Sequence, residues 1–177
     1  TPSAPQTDPT RIRVELEDRL PNPWVMIGHS GPREGAPESG ALRLAAEIMG
    51  NNEYGFLRQR LVAEKRLASS VHVSWDPGLL GGRFTVSISA LPGISAEMLE
   101  TGMKEAIAQF LATPLDEADV ERARRTLLLQ DRQAIEPYGE RASQIAYALD
   151  ILGDAGAALV DDPQVAQATL AEVEEAA

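Results

Sequence analysis

Residues 41–73, ALRLAAEIMGNNEYGFLRQRLVAEKRLASSVHV, decide the fold. Leu42, Ala45, Ile48 and Met49 recur at helical spacing, which predicts a helix over about Glu38 to Met49, and Gly50 suits its stop. Asn51 and Asn52 are placed to cap a second helix, about Tyr54 to Lys65, with Leu57, Leu61 and Val62 as its apolar stripe. The period then changes. Val71, Val73 and Trp75 alternate with Ser70, His72 and Ser74, the mark of a strand with one buried face.

The same alternation continues after the turn Pro77-Gly78…Gly81-Gly82, where Phe84, Val86, Ile88 and Ala90 alternate with Thr85, Ser87 and Ser89. Regular alternation of this kind fits an antiparallel sheet covered on one side. Upstream, Ile12, Val14 and Leu16 alternate with Arg13, Glu15 and Glu17, which predicts a first strand from Arg11 to Glu17. Leu20-Pro21-Asn22-Pro23 reads as a turn, Trp24 to Ser30 as a second strand and residues 31–37 as a loop. Downstream the pattern is helical. Ser95 caps a helix to about Ala112, and Asp116 caps one to about Ile135. Pro137 opens a further helix that stops at Gly153, and Thr169 with Glu172 forms a capping box for a last one. The fold class is α+β: a mainly antiparallel sheet with helices packed on one face. Residues 1–10 hold three prolines and read as a linker from a preceding domain, leaving residues 11–177 as one domain.

A chain of 177 residues buries roughly 70% of its unfolded surface, enough for a substantial core. Its formal net charge of −11 is a poor match to nucleic acid or an anionic membrane. With no cysteine, thiol nucleophiles, disulfides and Cys-ligated zinc are excluded. No apolar run approaches the roughly 18 residues of a membrane span. The sequence begins at Thr1 without an initiator Met, so the lack of a signal segment says nothing about the parent protein.

Catalytic signals are missing. A zinc hydrolase needs three protein ligands and a general base. The only histidines are His29 and His72, with no His-x-x-Glu-His motif, and a two-His site requires their strands to be neighbours. No Gly-x-Ser-x-Gly marks a nucleophile, and Ser69 and Ser70 begin a strand. No Gly-Lys-Ser/Thr follows the glycines, so no phosphate loop is present. Arg122, Arg124 and Arg125 are balanced by Asp116, Glu117, Asp119 and Glu121 and read as a solvated helix face.

The element order, with "GALRLAAEIMG", "GFLRQRLVAEKRLASSV", "GGRFTVSISALPGIS" and "PLDEADVERARRTLLLQ", resembles the M16 family of zinc peptidases (insulinase, pitrilysin and mitochondrial processing peptidase), across about Arg11 to Ala177. In that family such domains pair. One type carries the zinc motif, and the C-terminal type lacks it and completes a peptide chamber. The resemblance implies the second type: no cofactor in this chain, zinc in a catalytic M16-type partner domain or subunit, and a peptide substrate. The family's Arg and the Tyr seven positions later, which hold substrate, match Val62 and Ser69 here, so that clamp is degenerate. The family domain continues into a final strand that this sequence lacks. A dimer is among the assemblies the resemblance allows, and a periplasmic location fits an exported Gram-negative parent. The expected substrate-binding residues are those of the polar sheet face, Arg13, Ser70, His72, Ser74, Thr85 and Ser87, with Arg11, Glu15 and Ser89 beside them. An ordinary solvent face explains the same pattern equally well. Two other readings stand beside the peptidase domain: a non-proteolytic structural subunit of a larger assembly, and an unrelated small-molecule-binding domain.

Overall fold

Three strands pair antiparallel in the order β1-β3-β2, where β1 is Trp24–Gly31, β2 is Ala68–Asp76 and β3 is Gly82–Ala90. The computed structural model describes residues 12–16 and 21–176. Ile27 and Val73 both sit opposite Val86 of the central strand. That register aligns the apolar set of each strand. Val25 and Ile27, Phe84, Val86 and Ile88, and Val71, Val73 and Trp75 therefore share one face, and they pack into the core. A bulge between Ala68 and Ser70 interrupts the β2 ladder at its start.

The described helices that touch the sheet cover that face. The first, α1 (Ser39–Gly50), runs over β2, and its Leu44 and Ala45 are fully buried. A short helix α2 (Phe56–Arg58) continues as a π-helical stretch, Gln59–Glu64. After the sheet come α3 (Ala96–Ala112), α4 (Glu117–Ala134), α5 (Tyr138–Leu152), a 3-10 turn (Ala155–Leu159), α6 (Pro163–Gln167) and α7 (Leu170–Ala176). The caps do what their chemistry predicts. Ser95 accepts from the Met98 N–H, and Asp116 accepts from the Asp119 N–H. Gly153 takes the left-handed conformation at φ 74° that ends α5. At α7, Thr169 N–H donates to Glu172 Oε2 at 2.7 Å, and the Glu172 N–H donates back to Thr169 Oγ1. The bond from the Thr169 N–H, with a second from the Thr169 hydroxyl, holds the Glu172 carboxyl below the usual range.

Close approach at α1 sets the packing. A Cβ on Gly50 would lie 2.6 Å from the Val73 Cβ, and one on Gly40 would lie 2.3 Å from the Gln164 carbonyl carbon of α6. Arg43, on the same helix, donates to Asp131 of α4 at 2.7 Å and to Asp162, the cap of α6, at 3.0 Å. Burial works against the Arg43 charge, but the bonds and fields of the two carboxylates outweigh it and hold its pKa above the ordinary value.

Several expectations need correction. Residues 12–16 are not a strand: they form no ladder, and Ile12, Val14 and Leu16 are 70–87% exposed. Alternation shows which faces a strand would have, not that an edge is there to receive it. Arg11, Glu17 and residues 1–10 lie outside the described residues. Asn51 does not cap a helix directly. Its Oδ1 accepts from the Glu53 and Tyr54 N–H groups in a turn, and α2 starts later, after Gly55. The expected helix from Tyr54 to Lys65 is mostly π-helical, and the sequence reading passed over the 3-10 turn and α6, although Asp162 before Pro163 is a start signal for α6.

The glycine contacts give a direct test. Gly→Ala in an exposed helix interior stabilises by roughly 0.5–1 kcal/mol. Gly40→Ala is expected to do the reverse, destabilising by about 1–3 kcal/mol because the backbone of α6 cannot yield. A urea titration of both proteins measures it.

Candidate functional site

The second face of the sheet carries no helix among the described residues. The register puts Trp24, Met26, Gly28 and Ser30 of β1 in one row on it. Beside them lie Ser89, Ser87, Thr85 and Arg83 of β3, and then Ser70, His72, Ser74 and Asp76 of β2. Five of the expected polar residues, Ser70, His72, Ser74, Thr85 and Ser87, are therefore brought together. Ser74 Oγ donates to Asp76 Oδ2 at 2.9 Å, and Ser87 Oγ donates to the His72 carbonyl at 3.5 Å.

Arg13 is elsewhere. Its guanidinium donates to Glu15 at 2.8 Å and to Glu100 of α3 at 3.0 Å. The hydrogen bond to Glu15 and the field of Glu100 raise its pKa. These bonds tie residues 12–16 to the helical layer instead of the open face. Thr85 also differs from a solvent-facing residue. It is 5% exposed, and its Oγ1 is buried without a hydrogen-bond partner. The face has an apolar margin that the reading of polar residues passed over: Trp24 is 49% exposed and Met26 45%. Their alternation with Val25 and Ile27 was the available signal.

The histidines cannot act as a pair. His29 lies opposite Phe84 on β1, on the helix-facing side, and His72 lies opposite Ser87 on β2, on the open side. The whole of β3 separates their strands. No group of three or more His, Asp or Glu side chains among the described residues is placed to hold a metal ion. Val62 is half-buried in the π-helical stretch and packs on the core. Ser69 sits at the β2 bulge, where its Oγ is 3.2 Å from both the Ser89 and Ala90 carbonyls. An aliphatic side chain and a hydroxyl already bonded to backbone cannot replace a guanidinium and a phenol.

A separate cavity of about 170 Å³ opens on the helical side, lined by Tyr54, Phe56, Gln59, Phe110, Leu115 and Arg122 among others. Burial, together with the Glu47 carboxylate it donates to, pushes the Tyr54 phenol up to about 12, against the opposing bond from Thr126. Arg122 lies 5.2 Å from the centre of the same ring.

The profile of the peptidase M16 inactive domain matches residues 1–127. The chain belongs to the peptidase M16 inactive-domain family. Among solved structures, an inactive peptidase domain from Bordetella parapertussis is 24% identical, with a TM-score of 0.78, over 92% of this chain and 86% of that one. A protease from Helicobacter pylori is 18% identical, with a TM-score of 0.77, over 90% of this chain. The chain spans 38% of that protein's length. A chain of complex III from Candida albicans is 16% identical, with a TM-score of 0.72, over 90% of this chain and 40% of that one. Identities this low show a shared fold. No curated protein sequence matches the chain significantly.

In this M16 inactive domain the open face has no helical layer among the described residues. Thr85 at its centre offers a test. A buried hydroxyl with no partner costs about 1–3 kcal/mol, and valine has nearly the same shape. Thr85→Val is expected to hold or raise stability by up to about 1 kcal/mol. Thermal unfolding of the two proteins checks this.

Proposed function

We propose that this M16 inactive domain packs its open sheet face toward a zinc-bearing M16-type domain and lines one side of a peptide-binding chamber. The observation that carries this reading is the segregation of the sheet. One face holds the core, and the other presents Ser70, His72, Ser74, Ser87 and Ser89 with Trp24 and Met26 at one margin. An extended peptide needs hydrogen-bond partners once water is excluded, and hydroxyl and imidazole groups supply them. The apolar margin suits contact with a second domain, since aromatic and Met side chains are enriched where proteins meet. In this reading zinc and the general base belong to the partner, and the inactive domain contributes enclosure and peptide contacts. The degenerate positions Val62 and Ser69 contribute no substrate clamp.

The second reading, a non-proteolytic subunit of a larger assembly, rests on the fold shared with the Candida albicans complex III chain. A His-x-x-Glu-His motif in the preceding domain or in a neighbouring chain favours the peptidase, and its absence favours the scaffold.

Two measurements test the proposal. After dialysis against zinc, metal analysis of the 177-residue chain is expected to find far less than one ion per chain; one tightly held ion overturns the division of labour. In the assembly with its catalytic partner, Ser87→Arg is expected to lower peptide cleavage tenfold or more with the fold intact. Unchanged cleavage removes the open face from the chamber.

A further inference from the structure

The cavity on the helical side has two chemically distinct ends. Its floor is apolar: Ile48 and Phe110 are buried, and Phe56 packs edge-on to Phe110 with ring centres 5.4 Å apart. Leu115, from the connection between α3 and α4, adds to the apolar lining. The volume is about 170 Å³, and an apolar cavity of roughly 150 Å³ is enough to take up benzene. One branched aliphatic or aromatic side chain therefore fits.

The other end is polar. Gln59, Thr113 and Arg122 are exposed members of the lining, so they mark the mouth, with Asp119 beside them. Arg122 is held there from two sides. Its guanidinium carbon lies 5.2 Å from the centre of the Tyr54 ring, and its Nη1 donates to Asp119 Oδ1 at 3.1 Å. The ring is itself fixed, because the Tyr54 hydroxyl lies 2.9 Å from Glu47 Oε1 and 3.1 Å from Thr126 Oγ1. A guanidinium has five N–H donors, and the bond to Asp119 Oδ1 uses one. Gln59 Nε2 donates to the Tyr54 carbonyl at 3.2 Å, which leaves Gln59 Oε1 to accept.

We propose that this cavity binds an apolar amino-acid residue bearing a free α-carboxylate, with its side chain on the aromatic floor and its carboxylate on Arg122. A planar fork of donors matches a planar carboxylate through two parallel bonds. Asp119, beside the same guanidinium, disfavours a dianion such as phosphate. Asp119 and Gln59 Oε1 can accept from the ligand's own N–H groups. Free leucine and the C-terminal leucine of a peptide share this chemistry, and they differ in carrying an ammonium or an amide N–H. Peptide hydrolysis makes a new C-terminal carboxylate at every cleavage, so the ligand class is also a product class. That last link rests on the peptidase reading, and the binding itself does not.

NMR titration of the isotope-labelled 177-residue chain with L-leucine is expected to give saturable amide shifts confined to the surroundings of Gln59, Thr113 and Arg122. Glycine lacks the apolar body and leucinamide lacks the carboxylate, and each is expected to bind at least tenfold more weakly. Arg122→Gln is expected to weaken leucine binding tenfold or more with circular dichroism unchanged. Arg60 lies over the Phe56 ring but outside the cavity lining, so Arg60→Gln is expected to leave binding as it was. N-acetyl-leucine separates the two sources: tighter binding than leucine identifies a peptide C-terminus and weaker binding a free amino acid, and either order supports the shared chemistry. No saturable shift with leucine or N-acetyl-leucine overturns the proposal. So does leucinamide binding as tightly as leucine, or leucine binding indifferent to Arg122→Gln. The readout involves neither zinc nor a partner domain, so its failure leaves the chamber reading standing.

Discussion

The distance between α1 and its neighbours is the constraint on which the rest of the fold depends. Gly50 lets the helix end rest on Val73, and Gly40 lets its start rest on the backbone of α6. With the helix held that close, Leu44, Ala45 and Ile48 reach the sheet and Arg43 reaches two carboxylates on two different helices. One helix thereby sets the position of β2, α4 and α6 together. The sheet has the same device at its far end, where the Trp75 ring lies over Gly31 and Gly82 and leaves no room for a Cβ on either. The helical layer is close-packed because small residues stand at the crossing points, not because its side chains are large.

Where burial and periodicity agreed, the sequence was legible. The alternation of Val71, Val73 and Trp75 with Ser70, His72 and Ser74 placed both faces of β2, because one face had a helix to bury against. The caps at Ser95, Asp116 and Thr169 were readable because their hydrogen bonds are local. Residues 12–16 show the limit. Their alternation is as regular as that of β3, yet they form no ladder, since pairing depends on an edge that local sequence does not encode. The π-helical stretch was hidden for a similar reason. Leu57 and Leu61 keep an ordinary helical spacing while the backbone between them takes an extra residue per turn. For the candidate site, the polar row was visible and its tertiary detail was not. Neither the burial of Thr85 nor the capture of Arg13 by Glu100 has any mark in the local pattern.

The two faces of the sheet divide the domain's work. The described helices that touch the sheet, α1, α2 and α3, lie on one side, and the opposite side presents hydroxyls, an imidazole and the Arg83 stem lying over Gly28. Histidines on outer strands and opposite faces cannot converge on an ion. An M16 inactive domain built this way keeps the family's architecture, and its described residues form no metal-ligating cluster. Substitutions at the exposed positions of the open face, unlike those at the buried Thr85, can therefore drift toward new contacts without disturbing the core on the other side.

Arg124 has a consequence of its own. From α4 it donates to Glu121 at 2.8 Å, to the Ala168 carbonyl at 2.8 Å and to the Val165 carbonyl. Those two carbonyls are among the ones that the end of a helix as short as α6 leaves without partners of its own. The side chain of a long, central helix thus finishes a distant short one. The segment around α6 gains its order from α4 instead of from its own five residues. Its amides should exchange with solvent only when α4 opens, so that the C-terminal segment melts with the body of the domain and does not fray ahead of it.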